Sequence, residues 1–143
     1  GAKIYSDGNF RIMILAPLLT KERDNSTTAV SLAADLEKIL KHYNRKHVAK
    51  IDFGIGVDIG NLAVEHKDGK FRFTSLDNTL AIAKRISEES KGSVVISESL
   101  RKKMVGKIKI EKLPDKNLYI VEKVLDRSVH QNYISKLDLK PKK

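Results

Sequence analysis

Apolar and polar residues alternate along several stretches of the chain with the period of two that is typical of β-strands. Residues 3–6 and 10–16 form one such pair, and the tight-turn sequence DGN at residues 7–9 between them predicts a β-hairpin. Further strands are predicted at residues 51–60, 62–73, 93–96, 108–113 and 118–125, with a hairpin-like turn at residues 67–70 inside the second of these. These stretches supply the strands of the predicted sheet.

Other stretches repeat their apolar residues at helical spacing. Residues 27–47 form the clearest such stretch, and Ser26 or Thr27 can cap its start. A second helix is predicted at residues 77–90 and a short one at residues 97–104, while residues 21–26 form a polar connector. The order β-β-α-β-β-α-β-(α)-β-β predicts an α+β fold of the ferredoxin-like kind, with a mixed or antiparallel sheet covered by helices.

Composition narrows the class of protein. A chain of 143 residues with 41% hydrophobic residues can bury the core of one domain. The absence of cysteine excludes disulfides, thiolate metal sites and cysteine catalysis, and it is typical of an intracellular protein. The sequence has no apolar run near the ~20 residues that a membrane span needs. We therefore expect a cytoplasmic protein with no membrane span.

The net charge of +10 is unevenly distributed along the sequence. Residues 101–143 carry 13 Lys and Arg against 5 Asp and Glu, and the chain ends in KPKK. A basic region of this kind is compatible with nucleic-acid or anionic-membrane binding, but a solvated surface with a frayed terminus is the favoured interpretation. A basic nucleic-acid-binding domain is therefore one alternative function, although only Tyr119 and Tyr133 offer aromatic rings for base stacking there.

Several short segments resemble, in order, the catalytic domain of class III nucleotidyl (adenylate/guanylate) cyclases. Residues 3–8 (KIYSDG) resemble the family's Lys-x-x-Gly-Asp-Gly, and residues 55–60 (IGVDIG) resemble Ile-Gly-Ile-His-Thr-Gly. Residues 78–85 (NTLAIAKR) resemble Asp-Thr-Val-Asn-Leu-Ala-Ala-Arg, and residues 92–98 (GSVVISE) resemble Gly-Glu-Ile-Leu-Ile-Ser-Glu. The resemblance implies a cyclase-homology domain at residues 1–127 that lacks the family's first strand, followed by a basic extension at residues 128–143.

The resemblance also implies roles for five positions. Asp7 matches the second of the two aspartates that hold Mg²⁺ or Mn²⁺ in the family. Arg85 matches the arginine that stabilises the phosphate in the transition state. Lys3 and Thr74 match the positions that read the nucleotide base. Ala81 replaces the asparagine that orients the ribose, and the first metal-binding aspartate has no counterpart in this sequence.

Each of these residues also has a purely structural interpretation. Asp7 precedes Gly8 and fits an ordinary hairpin turn, while Lys3 fits a solvated surface residue. Arg85 can pair with acidic residues of its own helix, such as Glu88 or Glu89. The four histidines lie too far apart in the sequence for a His-x-x-x-His metal site.

The resemblance favours a catalytically degenerate signalling domain that binds a purine nucleoside triphosphate or dimerises, with its enzymatic activity left open. The alternative is an active adenylate or guanylate cyclase whose first metal-binding aspartate lies upstream. The expected partner is a second copy or another cyclase-like domain. Without the first strand, two strands of the sheet would have unpaired edges, and residues 129–137 or a second subunit are candidates to fill the gap. The sequence does not show whether the domain prefers ATP or GTP, or which sensor domain lies upstream.

Overall fold

The computed structural model describes residues 2–75 and 78–125. Within these residues, eight strands and four helices form in the order β1 (Lys3–Asp7), β2 (Phe10–Ile14), α1 (Pro17–Thr20), α2 (Ser26–Lys46), β3 (Ile55–Val57), β4 (Leu62–Lys67), β5 (Lys70–Ser75), α3 (Thr79–Glu89), β6 (Val94–Ser97), α4 (Glu98–Lys103), β7 (Ile108–Lys112) and β8 (Leu118–Val124). This order confirms the predicted α+β class.

The largest sheet has four strands in the order β3-β6-β8-β7. β3 runs parallel to β6, with Ile55 opposite Val94, whereas β8 runs antiparallel to both of its neighbours. The sheet is therefore mixed, and among the described residues β3 and β7 are its two edge strands.

Two hairpins stand apart from this sheet as separate two-stranded sheets, β1-β2 and β4-β5. Gly8 allows the turn of the first hairpin because its φ of 59° lies in the left-handed region. In the second hairpin, Asp68 and Gly69 both have positive φ, as a two-residue turn of type I′ requires. Both hairpins confirm the turns predicted from the sequence.

The core lies where α2 and α4 pack on the four-stranded sheet. All four residues of β6 are buried, because this strand has neighbours on both sides within the sheet and is covered by helices. Val30 and Ala33 of α2 join the core, and so do Leu100 and Met104. Helical spacing in α2 thus places its smaller apolar residues against the sheet.

Helix α3 packs so closely on the β3 segment that positions 54 and 56 have room only for glycine. A Cβ atom added to Gly56 would lie 2.5 Å from both the Ala83 carbonyl oxygen and the Ser87 nitrogen. A Cβ atom added to Gly54 would lie 2.1 Å from the Ser87 carbonyl oxygen. These two glycines therefore allow the backbone of α3 to lie in direct contact with the β3 segment.

The structure differs from the sequence prediction at several boundaries. β3 covers three residues instead of the predicted 51–60, and β2 ends at Ile14 instead of residue 16. The four-residue helix α1 begins at Pro17, where the sequence indicated only the end of a strand. The predicted basic extension and the candidate gap-filling segment at residues 129–137 lie outside the described residues.

Candidate functional site

The turn of the β1-β2 hairpin contacts helix α3 through one ion pair. The Lys84 ammonium donates to the Asp7 carboxylate, and both side chains are partly exposed. The same ammonium lies 5.4 Å from the centre of the Phe10 ring, within cation–π range. Asp7, the candidate metal ligand, is therefore neutralised by a cation of the chain itself.

The other end of β1 contacts the second hairpin. Lys3 Nζ donates to the Phe71 carbonyl oxygen at 3.4 Å and lies 5.7 Å from the centre of the Phe73 ring. Thr74 follows Phe73 on β5 and is exposed. The structure thus brings Lys3 to the strand that carries Thr74. These are the two positions at which the resemblance implies base recognition. Whether they bind a base stays a prediction.

Ala81 and Arg85 lie one turn apart on α3, and both are exposed. Within residues 2–75 and 78–125, no ion pair joins Arg85 to Glu88 or Glu89. Glu89 instead pairs with Lys116, which lies in the turn between β7 and β8. The described residues therefore do not show Arg85 paired with Glu88 or Glu89, which was the structural alternative to a phosphate-binding role.

Asp7 is the one metal ligand that the resemblance assigns to this sequence. Among the described residues, no three His, Asp or Glu side chains gather as ligands for one metal ion. Asp7 is bound by Lys84, and an ammonium and a divalent cation would compete for the same carboxylate. The expectation of Mg²⁺ or Mn²⁺ therefore stays a prediction, and these residues alone do not support it.

A cavity of about 1780 Å³ lies between β2, α2, β3 and α3. Its apolar lining includes Ile12, Leu36, Leu40, Ile55, Val57 and Leu80. Lys84 reaches its wall, whereas Lys3, Asp7, Thr74, Ala81 and Arg85 are not among the residues that line it. The large cavity and the five predicted site residues are therefore neighbouring but distinct features.

A second polar cluster consists of Glu98, Arg101 and Tyr119. The Tyr119 hydroxyl and the Arg101 guanidinium both donate to the Glu98 carboxylate, with Arg101 Nε at 2.7 Å. The bond from Arg101, followed by that from Tyr119, lowers the pKa of Glu98, and the bond to Glu98 raises the pKa of Tyr119. Arg101 also stacks on the Tyr119 ring. These bonds join α4 to β8, which indicates a structural role.

Sequence reasoning missed Lys84, although it lies inside the segment that resembles the cyclases. The family sequence quoted above has alanine at the matching position, so the appearance of a cation there was the available signal. Its contact with Asp7 spans 77 residues of sequence and could be found only in the folded chain.

Comparison with known proteins supports the fold. The guanylate cyclase domain of RhGC from Catenaria anguillulae, solved in complex with GTP, matches with a TM-score of 0.65 and 20% identity over 86% of this chain and 73% of that one. The guanylyl cyclase Cya2 matches with a TM-score of 0.62 and 14% identity over 86% of this chain and 71% of that one.

No protein-family model matches the sequence, and no curated protein matches it either. In the described part of the chain, no helix combines the length and the apolar character needed to cross a bilayer. The structural likeness therefore shows the fold and leaves the activity to be argued from the site. The chain has a cyclase-like α+β fold.

Proposed function

We propose that this chain is a nucleotidyl cyclase-like signalling domain that has lost catalysis and serves as a nucleotide-binding or dimerisation module. The cyclase-like fold supports the first part of the proposal. The second part depends on the state of the candidate catalytic positions.

The ion pair between Asp7 and Lys84 carries the argument for lost catalysis. In a two-metal mechanism the carboxylate must bind divalent cations that activate the nucleophile and clamp the phosphates. Here Lys84 forms an ion pair with the Asp7 carboxylate, and the Ala81 side chain cannot form a hydrogen bond to a ribose. Removal of a single oriented hydrogen-bond donor costs about 10²–10³ in rate, and removal of a metal ligand costs more.

The activity assay follows directly. We expect no cyclic nucleotide from ATP or GTP with either Mg²⁺ or Mn²⁺. Product formation above the buffer background that disappears in Asp7→Ala would contradict lost catalysis and favour the alternative of an active cyclase. Asp115→Ala is the matched control, because it removes an aspartate from another hairpin turn.

Nucleotide binding is tested at Arg85. Calorimetric titration with ATP and GTP should give weak binding, and Arg85→Ala should lower the binding free energy by about 1–3 kcal/mol because a charge-assisted phosphate contact is lost. Arg45→Ala is the control, since Arg45 is also an exposed helical arginine. Because Lys84 already neutralises Asp7, we expect binding to persist in EDTA. Undetectable heats for the unmodified chain would leave only the dimerisation role.

Dimerisation is tested by sedimentation. We expect weak self-association through the surfaces around Asp7 and helix α3, the regions that the resemblance assigns to pairing. Arg85→Glu on the exposed side of α3 should weaken this association, whereas Arg45→Glu should not. A chain that stays monomeric at high protein concentration would contradict this role.

A further inference from the structure

The turn that follows α4 exposes an apolar residue at its apex. Met104 and Lys107 close this turn, in which the Lys107 N–H donates to the Met104 carbonyl oxygen at 2.9 Å. Gly106, the third residue of the turn, has a φ of 80°, as a type II turn requires. Met104 is fully buried in the core, whereas Val105 is 71% exposed. The turn is therefore anchored at one end and holds Val105 in solvent.

A second exposed apolar residue lies beside this turn. The Leu125 N–H donates to the Lys107 carbonyl oxygen at 2.7 Å, which brings the residue after β8 to the end of the turn. Leu125 is 53% exposed. A single exposed apolar residue is ordinary on a protein surface, but here two segments joined by a main-chain bond each contribute one. Val105 and Leu125 together form what we call the apolar tip.

Lysines flank the apolar tip. Residues 101–109 contain five Lys or Arg residues and no Asp or Glu. Arg101 pairs with Glu98. Within residues 2–75 and 78–125, no ion pair involves the other four, which are Lys102, Lys103, Lys107 and Lys109. The turn therefore carries positive charge that no ion pair neutralises in this part of the chain.

One of these lysines opposes a fifth lysine across the β7-β8 pair. Lys109 and Lys123 are direct partners there, and like charges in opposed positions destabilise a sheet. The exposed Glu111 and Glu122 lie on the same two strands, yet neither lysine forms an ion pair with a described residue. A like-charge pair of this kind weakens the fold, which a role in binding an anionic partner would explain.

Lys103 and Lys107 lie near one further acid, Asp24. The hydrogen bond from the Ser26 backbone is the main cause that lowers the pKa of Asp24, and the charges of the two lysines lower it further. One carboxylate near two ammonium groups leaves the surface positive. We call this surface the basic tip, and it consists of the apolar tip with Lys102, Lys103, Lys107, Lys109 and Lys123.

The side chains of the basic tip suit a lipid surface better than a nucleic acid. Proteins that bind single-stranded nucleic acid place aromatic rings among their cations so that bases can stack. Here the exposed apolar side chains are aliphatic. The Tyr119 ring on β8 is buried, stacks with Arg101 and carries a hydroxyl that is bonded to Glu98. Aliphatic side chains beside lysines suit the boundary between lipid headgroups and acyl chains.

We propose that the basic tip binds the surface of an anionic lipid bilayer. Val105 and Leu125 enter the headgroup region, and the five lysines contact the phosphates and carboxylates of the lipids. The chain lies on the bilayer in this arrangement and does not cross it. Residues 126–143, which carry further lysines, follow Leu125 directly and can add to the attraction. This interaction requires neither nucleotide binding nor catalysis.

The test is co-sedimentation of the chain with sucrose-loaded vesicles. At about 0.1 M salt we expect saturable binding to phosphatidylcholine vesicles that contain about 30% phosphatidylserine, and none to phosphatidylcholine alone. Val105→Ser removes the apolar side chain at the apex and should weaken binding about fivefold. Lys102→Gln combined with Lys103→Gln removes two charges and should weaken it about 25-fold.

Matched controls lie at other places on the surface. Thr27, near the start of α2, contacts Met104 of the turn, whereas Val48 lies beyond the other end of that helix and is 98% exposed. Val48→Ser should therefore change binding by less than about twofold. Lys67→Gln combined with Lys70→Gln removes two exposed lysines from the β4-β5 turn, and at this salt concentration it should weaken binding by less than about threefold.

Four results would overturn the proposal. The first is no binding to the anionic vesicles, or equal binding to the neutral ones. The second is binding that neither the Val105 nor the lysine variant weakens, which would assign it to residues 126–143 alone. The third is equal weakening by Val48→Ser and Val105→Ser. The fourth is a chain that binds no vesicles but binds a single-stranded oligonucleotide, in fluorescence anisotropy, through Lys102 and Lys103, which would identify nucleic acid as the partner.

Discussion

Substitution of Gly56 by alanine tests whether the close contact between β3 and α3 positions the candidate site. The added methyl group would lie 2.5 Å from the Ala83 carbonyl oxygen, 2.5 Å from the Ser87 nitrogen and 3.0 Å from the Ile86 carbonyl carbon. All three atoms belong to the backbone of α3, so no side-chain rotation can make room. The helix must move away from the strand.

The size of the effect follows from these distances. Ordinary van der Waals contact begins at 3.4 Å, so α3 must move by about 0.9 Å. Overpacking of this kind lowers the free energy of unfolding by about 1–3 kcal/mol. The smaller conformational entropy of alanine in the unfolded chain offsets roughly 0.4–1 kcal/mol. We expect a net loss of about 1–2 kcal/mol for Gly56→Ala, and a larger loss for Gly54→Ala, whose shortest contacts are 2.1 and 2.2 Å.

Urea unfolding followed by circular dichroism measures the loss, and amide hydrogen exchange shows where it acts. Exchange should accelerate in α3 for both variants. Gly69→Ala is the control: its Cβ would meet open space, but its φ of 74° is strained for alanine, so it should lower stability without affecting α3. Stability within about 0.5 kcal/mol of the unmodified chain for both Gly54→Ala and Gly56→Ala would refute the reasoning.

Three further predictions concern single contacts. Ser97 accepts the Leu100 N–H at the start of α4, so Ser97→Ala should cost about 1 kcal/mol in urea unfolding, and an unchanged midpoint would contradict the cap. Folding lowers the pKa of Glu98, so the hydrogen bonds to its carboxylate stabilise the folded protein at pH values above the ordinary pKa of 4.5. This stabilisation is lost as the pH falls through the lowered pKa. The Tm difference between the unmodified chain and Glu98→Gln should therefore be present at pH 7 and shrink at acidic pH. A Tm difference that does not change with pH would show that the Glu98 carboxylate is not its cause. The Lys84–Asp7 pair is partly exposed, so Lys84→Met should change the free energy of unfolding by less than about 1 kcal/mol, and a loss above about 2 kcal/mol would indicate a buried pair.

The elements that depend on local pattern were the ones that the sequence predicted well. The predicted helix at residues 27–47 is α2, Ser26–Lys46, because its apolar spacing and its length leave no competing interpretation. The turn at residues 67–70 is the β4-β5 turn, since Asp68-Gly69 strongly favours a tight hairpin. In both cases the information lies within a few neighbouring residues.

β3 shows what local pattern cannot supply. Alternation predicted a strand at residues 51–60, but among the described residues only Ile55–Val57 of this stretch forms a strand. Side-chain alternation reports which residues suit a strand, whereas a strand in the structure also needs a partner for its backbone. The candidate site has the same limit. The matches of Asp7 and Arg85 to cyclase positions could be read from the sequence, but the capture of Asp7 by Lys84 depends on a contact across 77 residues.

The parallel pairing of β3 with β6 has a consequence for how the chain folds. The β1-β2, β4-β5 and β7-β8 pairs are each closed by a short turn, so they can form within microseconds. Ile55 meets Val94, 39 positions further along the chain, only after the intervening segment has closed into a loop, and that entropy cost comes before any pairing energy is gained. Until this step is complete, the apolar strand Val94–Ser97 lacks one neighbour. The slow phase of folding, and with it the period of greatest aggregation risk, should therefore correspond to the docking of β3 and α3 onto β6.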